Sequence, residues 1–408
     1  HHPEWYKRNV DGSFHSPGAW GVTWADLVEL DYSKPALRRK IADVFLYWCR
    51  LGVDGFRCDA GYMIPKAAWD VIVALVRREF PDTVFLLEGL GGPMETTEAL
   101  IGDSGLDWAY SEVFQTYDRR AFEAMLPNTL RLSEQRGPLI HFAETHDNNR
   151  LAATSPAWAR LRLALSAMLA QQGGFGITAG VEWYAQEKID VHGCGGLNWG
   201  ATDNACAFIR RLNAILRCHP LFGPGTTLAM AQRGGGNVLA VTRSRPGHEP
   251  LLILANLDWK QPQSVSFDAS GFPYREAYDL IEGKPCLVNP LRMPLKPGQV
   301  RCLSSRPGDL TAVEGAAHQR GAAPITGLAK RYRLVMALRT LKWTEQSVDL
   351  YKEDLDALAN RFIEDPVAFT DHRAITLRLP ADLRREVIVP TGALLFVTAA
   401  SPFRVTLF

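Results

Sequence analysis

The sequence lacks the features that mark membrane, secreted and nucleic-acid-binding proteins. It contains no apolar run of about eighteen residues, the length at which a bilayer-spanning helix becomes a candidate. It shows no basic, apolar and small-residue pattern of a secretory signal. Its formal net charge of +1 offers no electrostatic attraction to nucleic acid or to an anionic membrane. We therefore predict a cytoplasmic globular protein that has neither nucleic acid nor a membrane as a partner.

Cysteine is sparse and scattered along the chain. The seven cysteines include no Cys-x-x-Cys pair, which is typical of reduced thiols in a cytosolic protein. Two short pairs, His192 with Cys194 and Cys218 with His219, each offer half of a zinc site. Closed zinc sites, however, use tight ligand pairs at recurrent spacings, which this chain does not have. We therefore expect buried, unreactive thiols and no metal site.

Helical and strand-like segments alternate through the first half of the chain. Helical spacing of apolar residues predicts helices at about 35–51, 66–80, 118–136, 155–172 and 203–218. Short apolar runs predict strands at about 52–58, 83–87, 106–110, 138–142 and 174–178. Repeated β–α units predict an α/β fold with a parallel sheet and right-handed crossovers.

The composition changes after Leu221. Short β-rich runs such as 238–242 and 251–255, separated by Gly and Pro turns, predict an antiparallel β-domain over 222–303 that follows a first domain over 1–221. Residues 304–327 are rich in Gly, Ala and Pro, which predicts a linker. The remainder, 328–408, is predicted as a small α+β region of unknown role, with helices at about 328–343 and 346–363 and strands at about 374–379 and 393–398.

Charged side chains stand at the ends of three of the predicted strands. Arg57 and Asp59 close the first run, Glu88 follows the second, and Asp147 follows the run at 138–142. A strand that is buried on both faces is nearly continuously apolar, so charges there are costly. They are tolerated at the C-terminal mouth of a β/α barrel, where the active sites of such barrels lie. Arg57 and Asp59 are two residues apart and therefore point to the same side of their strand.

Two opposed carboxylates can perform retaining glycoside hydrolysis, in which one attacks the sugar and the other protonates the leaving oxygen. Arg57 favours the ionised form of Asp59, as a nucleophile requires. Glu88 follows an apolar run, and partial burial would raise its pKa from about 4.3 toward about 6, as an acid requires. His146 and Asp147 can hydrogen-bond sugar hydroxyls. Taken singly, an aspartate at a strand end is usually a loop cap, and Arg57 with Asp59 alone could be a structural ion pair; the joint pattern is more specific than its parts.

The motifs themselves resemble a known family. Gly55-Phe56-Arg57-Cys58-Asp59-Ala60, Leu87-Glu88-Gly89 and Phe142-Ala143-Glu144-Thr145-His146-Asp147 resemble the motifs on the fourth, fifth and seventh barrel strands of the α-amylase superfamily, glycoside hydrolase family 13. They occur in the family's order and with similar gaps. The resemblance covers roughly residues 1–303 and says nothing of the rest.

The resemblance implies a role for each residue of the matched motifs. It implies Asp59 as the nucleophile, Glu88 as the general acid/base and Asp147 as the transition-state stabiliser. Arg57 and His146 are then their supporting partners in substrate binding. No cofactor is implied, and no calcium site is assigned, because the family's common calcium ligands precede the matched segment.

Four aromatic residues are further candidates for contact with a sugar. Sugar rings stack on aromatic faces, and Tyr62, Trp183, Tyr184 and Trp199 follow the predicted strand ends. Packing within the core or within a covering loop is the alternative for these side chains.

The resemblance begins part of the way through the family's barrel. The Asp and His motif of the third barrel strand has no counterpart, and five strands do not close an eight-stranded barrel. We therefore expect a partial (β/α)8 TIM barrel with the fourth to eighth strands, followed by a β-sandwich, in a truncated chain that alone is poorly stable and inactive. A tag remnant at His1 and His2 is an alternative explanation of why the sequence starts at this point.

The predicted function is that of a retaining α-glucan-active glycoside hydrolase or transglycosidase whose substrate is an oligo- or polysaccharide. Residues 4–13 resemble a segment of bacterial maltosyltransferases that use maltose 1-phosphate, which makes that activity one alternative. One observation stands against the maltosyltransferase alternative. This chain has the His-Asp pair of ordinary amylases, at His146 and Asp147, whereas the maltose 1-phosphate branch departs from that pair. A glucan-binding homologue without catalysis is the alternative of another class, but a binding protein has no need of Glu88.

Overall fold

The computed structural model describes residues 2–19, 21–170, 174–190, 197–198 and 201–318, and the backbone of four short strands between residues 374 and 405. The chain forms two compact units. The first consists of His1–Ala143, Arg160–Ile177 and Leu212–Val313, and the second of Glu144–Ala159, Thr178–Arg211 and Glu314–Phe408.

The first unit begins with a short antiparallel hairpin and continues with alternating helices and parallel strands. The hairpin pairs β1 (Gly18–Ala19) with β2 (Val22–Thr23). The alternating elements are α1 (Pro35–Arg50), β3 (Gly55–Cys58), α2 (Lys66–Glu79), β4 (Val84–Leu87), α3 (Met94–Gly102), β5 (Trp108–Tyr110), α4 (Arg119–Gln135) and β6 (Leu139–Ile140).

These strands form one four-stranded sheet in the order β3-β4-β5-β6, and every neighbouring pair is parallel. A parallel bridge from His141 to Phe175 extends the sheet beyond β6. The predicted parallel β–α alternation is confirmed over this stretch. The strand predicted at 174–178 is reduced to that single bridge, and α3 was not predicted because its nine residues carry little helical periodicity.

Helix α2 shows how the sequence produces this packing. Trp69, Ile72, Val73 and Val76 recur at helical spacing, so they form one apolar face that lies buried against the sheet. The indole nitrogen of Trp69 donates a hydrogen bond to the carbonyl oxygen of Gly61 at 2.9 Å, which satisfies the only polar atom of that buried ring. The loop that follows β3 is therefore held against α2.

Three further helices follow β6 in the chain. They are α5 (Leu151–Thr154), α6 (Pro156–Leu169) and α7 (Cys206–Cys218). The helices predicted at 155–172 and 203–218 are thus confirmed, with ends shifted by up to three residues. No helix in the described part of the chain is both long and apolar enough to cross a bilayer.

The β-rich part of the first unit contains a six-stranded and a three-stranded antiparallel sheet, with orders β13-β12-β15-β10-β9-β7 and β14-β11-β8. Their strands are β7 (Thr227–Met230), β8 (Gln232–Arg233), β9 (Val238–Ser244), β10 (Leu251–Asn256), β11 (Gln263–Phe267), β12 (Glu276–Asp279), β13 (Lys284–Leu287), β14 (Met293–Leu295) and β15 (Val300–Ser304). Their buried residues form one apolar cluster that includes Val238, Leu252, Phe267 and Leu295. The strands predicted at 238–242 and 251–255 are confirmed.

Arg243 on β9 joins the β-rich part to helix α6. Its side chain is buried and donates hydrogen bonds to the carbonyl oxygens of Met168, Ala170 and Leu221 at 2.8 to 3.0 Å. The guanidinium also lies over the ring of Phe222, 3.9 Å from its centroid. Burial lowers the pKa of Arg243 to about 9, so the side chain is still cationic at neutral pH. The carbonyls at the end of α6 favour a cation there because they carry the negative end of the helix dipole.

The segment predicted as a linker contains a helix, α8 (Pro307–His318). Val313 on this helix is buried, and Asp309 contacts the imidazole of His219 at 3.3 Å and the hydroxyl of Ser304 at 2.5 Å. These tertiary contacts explain the error, since the Gly- and Ala-rich composition alone indicates an unpacked segment. The predicted helices at 328–343 and 346–363 lie outside the described residues.

Four short antiparallel strands belong to the last part of the chain. They are β16 (Ala374–Thr376), β17 (Glu386–Ile388), β18 (Leu394–Val397) and β19 (Pro402–Val405), paired in that order. The strands predicted at about 374–379 and 393–398 are confirmed by β16 and β18.

Candidate active site

The first two predicted catalytic residues follow adjacent parallel strands. Cys58 at the end of β3 pairs in register with Leu87 at the end of β4, so Asp59 and Glu88 occupy equivalent positions just beyond the sheet. The backbone N–H of Glu88 donates to the carbonyl oxygen of Cys58 at 3.0 Å. The sheet therefore brings the two carboxylates to one edge, as the sequence predicted.

Glu88 sits in a half-buried position that suits an acid. One carboxylate oxygen accepts the N–H of Ala60 at 2.7 Å, and the other accepts the N–H of Leu90 at 3.2 Å. Burial raises the pKa of Glu88, and the negative charge of Asp59 acts in the same direction. The N–H of Ala60 and the charge of Arg57 act to lower this pKa, but burial outweighs them. The predicted rise in the pKa of Glu88 is therefore confirmed in direction.

Asp59 differs from Glu88 in its exposure. Its side chain is 78% exposed and forms an ion pair with Arg57, which is 29% exposed. Burial acts to lower the pKa of Arg57, but the hydrogen bond and the charge of Asp59 raise it above its ordinary value. Asp59 is exposed because the residue lies beyond the last paired residue of β3. A half-buried acid thus stands beside an exposed carboxylate.

The turn after Asp59 has an unusual backbone. Ala60 has a φ of 41°, in the left-handed region that non-glycine residues rarely adopt. This conformation directs the N–H of Ala60 to the carboxylate of Glu88. Such backbone strain is often found at functional sites, where the surrounding structure holds it in place.

Tyr62 lies beside the loop that carries Glu88. A Cβ atom built on Gly92 would approach the Tyr62 ring to 2.6 Å, so the ring packs directly on the backbone of this glycine. The neighbouring N–H of Gly91 donates to the carboxylate of Glu112 at 2.6 Å. Glu112 was not predicted as part of the site, although its position just after β5 was the available signal.

The third predicted acid belongs to the second compact unit. The imidazole of His146 lies 3.3 Å from the carboxylate of Asp147, whose side chain is 70% exposed. The N–H of Asp147 donates to the hydroxyl of Thr145 at 3.2 Å, which shapes the turn. Because Asp59 and Glu88 lie in the first unit, the convergence of all three acids stays a prediction.

The aromatic candidates of the second unit differ in exposure. Tyr184 is buried at 5% exposure and has a left-handed backbone with a φ of 50°, which favours packing over contact with a sugar. Trp183 is half-buried, and its carbonyl accepts the side-chain amide of Asn198 at 2.8 Å. Trp199, His192 and Cys194 lie outside the described residues, so the predictions about them stay open.

Cys58 lies at the end of β3, directly before Asp59. Burial raises the pKa of the Cys58 thiol to about 12, so it is protonated at neutral pH and is a poor nucleophile despite its place beside Asp59. The described residues contain no cluster of three or more His, Cys, Asp or Glu side chains that could hold a metal ion.

Comparison with known sequences identifies relatives that are named as transferases. An α-1,4-glucan:maltose-1-phosphate maltosyltransferase from Methylacidiphilum infernorum is 26% identical over 306 residues, which cover 67% of this chain and 44% of that protein. A cyclomaltodextrin glucanotransferase from Niallia circulans is 23% identical over 270 residues, or 63% of this chain and 37% of that protein. The chain thus spans less than half the length of these relatives. No protein-family profile matches it.

Solved structures with a similar fold include α-amylases. The enzyme from Lactobacillus plantarum superposes with a TM-score of 0.57 at 20% identity, over 74% of this chain and 73% of that one. An Anoxybacillus α-amylase gives a TM-score of 0.59 at 15% identity, over 75% of this chain and 71% of that one. Together with the motifs that end β3, β4 and β6, these similarities show that the chain is a relative of the α-amylase superfamily, glycoside hydrolase family 13.

Proposed function

We propose that this protein is a retaining enzyme that cleaves or transfers α-glucosyl units, with Asp59 as the nucleophile and Glu88 as the acid/base. The observation that carries the proposal is the contrast between the two neighbouring carboxyl groups. Burial holds the pKa of Glu88 above its ordinary value, whereas Asp59 is exposed and paired with a guanidinium. Retaining glycosidases need one protonated and one ionised carboxyl group side by side.

In the proposed first step, a carboxylate oxygen of Asp59 attacks the anomeric carbon of the donor sugar. The bond from that carbon to the leaving oxygen breaks, and Glu88 supplies the proton to the leaving oxygen when the leaving group is a sugar. Arg57 forms an ion pair with the attacking carboxylate. The product of this step is a glucosyl ester of Asp59 and an ionised Glu88.

In the second step, Glu88 acts as the base. It removes the proton from a water molecule or from a hydroxyl group of an acceptor sugar, whose oxygen then displaces Asp59 from the anomeric carbon. Asp147 and His146 would hydrogen-bond sugar hydroxyls and stabilise both transition states. Whether water or a sugar takes the glucosyl unit depends on which of them occupies the acceptor position.

The relatives favour one donor in particular. The Methylacidiphilum infernorum protein and several other relatives with 25–26% identity are named α-1,4-glucan:maltose-1-phosphate maltosyltransferases. Residues 4–13 resemble a segment of such enzymes. Within the proposed activity, we therefore place transfer of maltose from maltose 1-phosphate to an α-glucan before hydrolysis of α-glucans.

The fold supports a corresponding assignment of the strands. We propose that β3, β4, β5, β6 and the bridge at Phe175 correspond to the fourth to eighth strands of a TIM barrel, with residues 222–303 as the β-sandwich domain. The parallel order of β3 to β6 and the site at their carboxyl ends support this assignment. A cytoplasmic location is part of the same proposal.

A product assay tests the proposed function. The protein, in the form that its gene encodes, is incubated with maltose 1-phosphate or maltoheptaose, each with and without an acceptor glucan. Phosphate release and glucan lengths are then measured. We expect phosphate release that depends on the acceptor, together with glucans that grow by maltose units. The absence of any change in phosphate and in chain length with both donors would refute the proposal.

The pH dependence of the reaction follows from Glu88. We expect the alkaline limb of kcat/KM for maltoheptaose to lie above the ordinary glutamate pKa of about 4.3, because burial raises the pKa of Glu88. The acid form is fully present at low pH and is lost as the pH rises through that raised value. Maltoheptaose is the substrate of choice because maltose 1-phosphate itself titrates near pH 6. A limb in the ordinary glutamate range would contradict this assignment.

A further inference from the structure

A buried ion pair flanks the predicted transition-state stabiliser. The carboxylate of Glu144 and the guanidinium of Arg150 lie on either side of His146 and Asp147 in the chain and contact each other at 2.7 Å. The side chains are 3% and 0% exposed, respectively. Two charges removed from water are costly unless further hydrogen bonds satisfy their remaining polar atoms. The Glu144–Arg150 pair therefore differs from a surface ion pair, because its burial requires further hydrogen bonds to the surrounding chain.

The first set of additional bonds closes the loop that carries Asp147. The second carboxylate oxygen of Glu144 accepts the N–H of Leu151 at 2.7 Å. The carboxylate thus binds the side chain of Arg150 and the backbone at the start of α5. Residues 144 and 151 are held together at the base of the loop, with His146 and Asp147 between them.

The second set of bonds reaches the segment 178–187, which we call the aromatic segment because it contains Trp183 and Tyr184. Arg150 donates to the carbonyl oxygen of Ala179 at 2.7 Å and to that of Glu187 at 3.3 Å. The hydroxyl of Thr178 donates to the carbonyl oxygen of Glu144 at 2.5 Å. Arg150 therefore contacts both ends of the aromatic segment.

Gly180 shows how closely this segment approaches the guanidinium. A Cβ atom at this position would lie 2.8 Å from a terminal nitrogen of Arg150, and the backbone has a φ of +96°. A residue with a side chain would meet both a close contact and a disfavoured backbone conformation. The carbonyl of Gly180 accepts the N–H of Ala185 at 2.9 Å, which folds the segment around Trp183 and Tyr184.

We propose that the Glu144–Arg150 pair is a positioning device that holds the Asp147 loop and the aromatic segment as one rigid, substrate-facing element. The inference deepens the proposed function, since it rests on Asp147 acting on the substrate. The pair itself touches no reacting atom. It acts through the loop, because a buried guanidinium with three fixed acceptors leaves neither segment free to shift without breaking a charged hydrogen bond.

Three variants test this inference. Arg150→Met removes the cation, and the double variant Glu144→Gln/Arg150→Met also removes the carboxylate that would be left unpaired. Arg50→Met is the matched control, since Arg50 forms an exposed ion pair with Glu79 on the helices of the first unit. Thermal unfolding of each variant establishes that it is folded at the assay temperature.

The kinetic readout separates positioning from stabilisation. We expect kcat per folded molecule to fall about 100-fold in both Arg150 variants, the loss typical of a misplacement of about 1 Å, and to stay unchanged in Arg50→Met. A merely stabilising pair predicts that the double variant, which has no unpaired buried charge, regains the kcat of the wild-type protein. That recovery would overturn the inference.

Hydrogen exchange gives a readout that does not depend on activity. In Arg150→Met we expect faster exchange at the amides of Leu151 and Ala185, which report on the loop and on the aromatic segment. Unchanged exchange at either amide would overturn the inference, whatever the kinetics. Absence of turnover by the wild-type protein, in contrast, would refute the proposed function and leave the exchange result to decide on the rigid element.

Discussion

Replacing Glu88 with Gln should lower steady-state turnover by about 10²–10⁴-fold, the usual contribution of a general acid/base, while binding of the glucan is retained. The amide has nearly the shape of the carboxyl group, but it neither donates a proton to the leaving oxygen nor removes one from the acceptor. The measurement pairs initial rates with direct binding of maltoheptaose. Unchanged turnover would show that Glu88 is not the acid/base.

The same variant distinguishes the two donors. Phosphate is a good leaving group with a second pKa near 6, so it needs little proton transfer, whereas a sugar alkoxide needs the acid. With maltose 1-phosphate we therefore expect a burst of about one phosphate per protein molecule, followed by slow release of the sugar. A maltosyl ester at Asp59 should then be detectable by mass spectrometry. A glucan-binding protein without catalysis would bind the glucan but show neither the burst nor the ester.

Glu79→Gln is the matched control for this experiment. Glu79 lies on α2 in an exposed ion pair with Arg50, so its replacement should leave turnover unchanged. The stability of Glu88→Gln gives an independent check. A raised pKa in the folded state means that Glu88 contributes stability below its ordinary pKa, and this contribution is lost as the pH rises through the raised value. At neutral pH the amide should therefore be tolerated as well as the carboxylate or better.

Replacing Arg243 with Met should lower the free energy of unfolding by about 3–5 kcal/mol. The methionine has a similar length and fills much of the space, but it donates no hydrogen bond. The carbonyl oxygens of Met168, Ala170 and Leu221 would then be buried without a donor, at a cost of about 1–3 kcal/mol each. Relief of the cost of burying the guanidinium offsets part of this loss, which keeps the expected total in the lower part of the summed range.

Urea unfolding followed by circular dichroism measures this loss. Arg245→Met, two residues along the chain, is the control, because Arg245 bonds to the side chain of His248 near the surface. Its replacement should change stability by less than about 1 kcal/mol. If Arg243→Met does not fold, Arg243→Lys keeps the charge and part of the hydrogen bonding and should show a smaller loss. If Arg243→Met lowers the free energy of unfolding by less than about 1 kcal/mol, Arg243 does not hold β9 and α6 together as described.

Local sequence patterns predicted the elements that carry the site. The apolar face of α2 and the apolar runs of β3 and β4 are short-range signals, and all three elements lie where the sequence placed them. The charged residues that follow these strands marked the edge of the sheet. Even the direction of the pKa shift of Glu88 was predictable, because the apolar run before it implied partial burial.

The aspects that the sequence did not reveal depend on contacts between distant segments. Arg243 is bonded to carbonyls 73 and 75 residues earlier in the chain, and carbonyl groups leave no trace in a sequence. Helix α8 forms in a Gly- and Ala-rich segment because Val313 is buried and Asp309 meets His219. The exposure of Asp59 also follows from where the pairing of β3 ends.

The sequence by itself thus determined which carboxyl groups follow the strands β3 and β4, because strand periodicity and the residues at strand ends are local properties. Only the tertiary structure decided how those groups differ and what holds them. The desolvation of Glu88, the exposure of Asp59 and the buried Glu144–Arg150 pair arise from packing between segments that are far apart or joined by irregular loops. Burial and backbone hydrogen bonding are set by the assembled fold, and they give chemically similar carboxyl groups different environments.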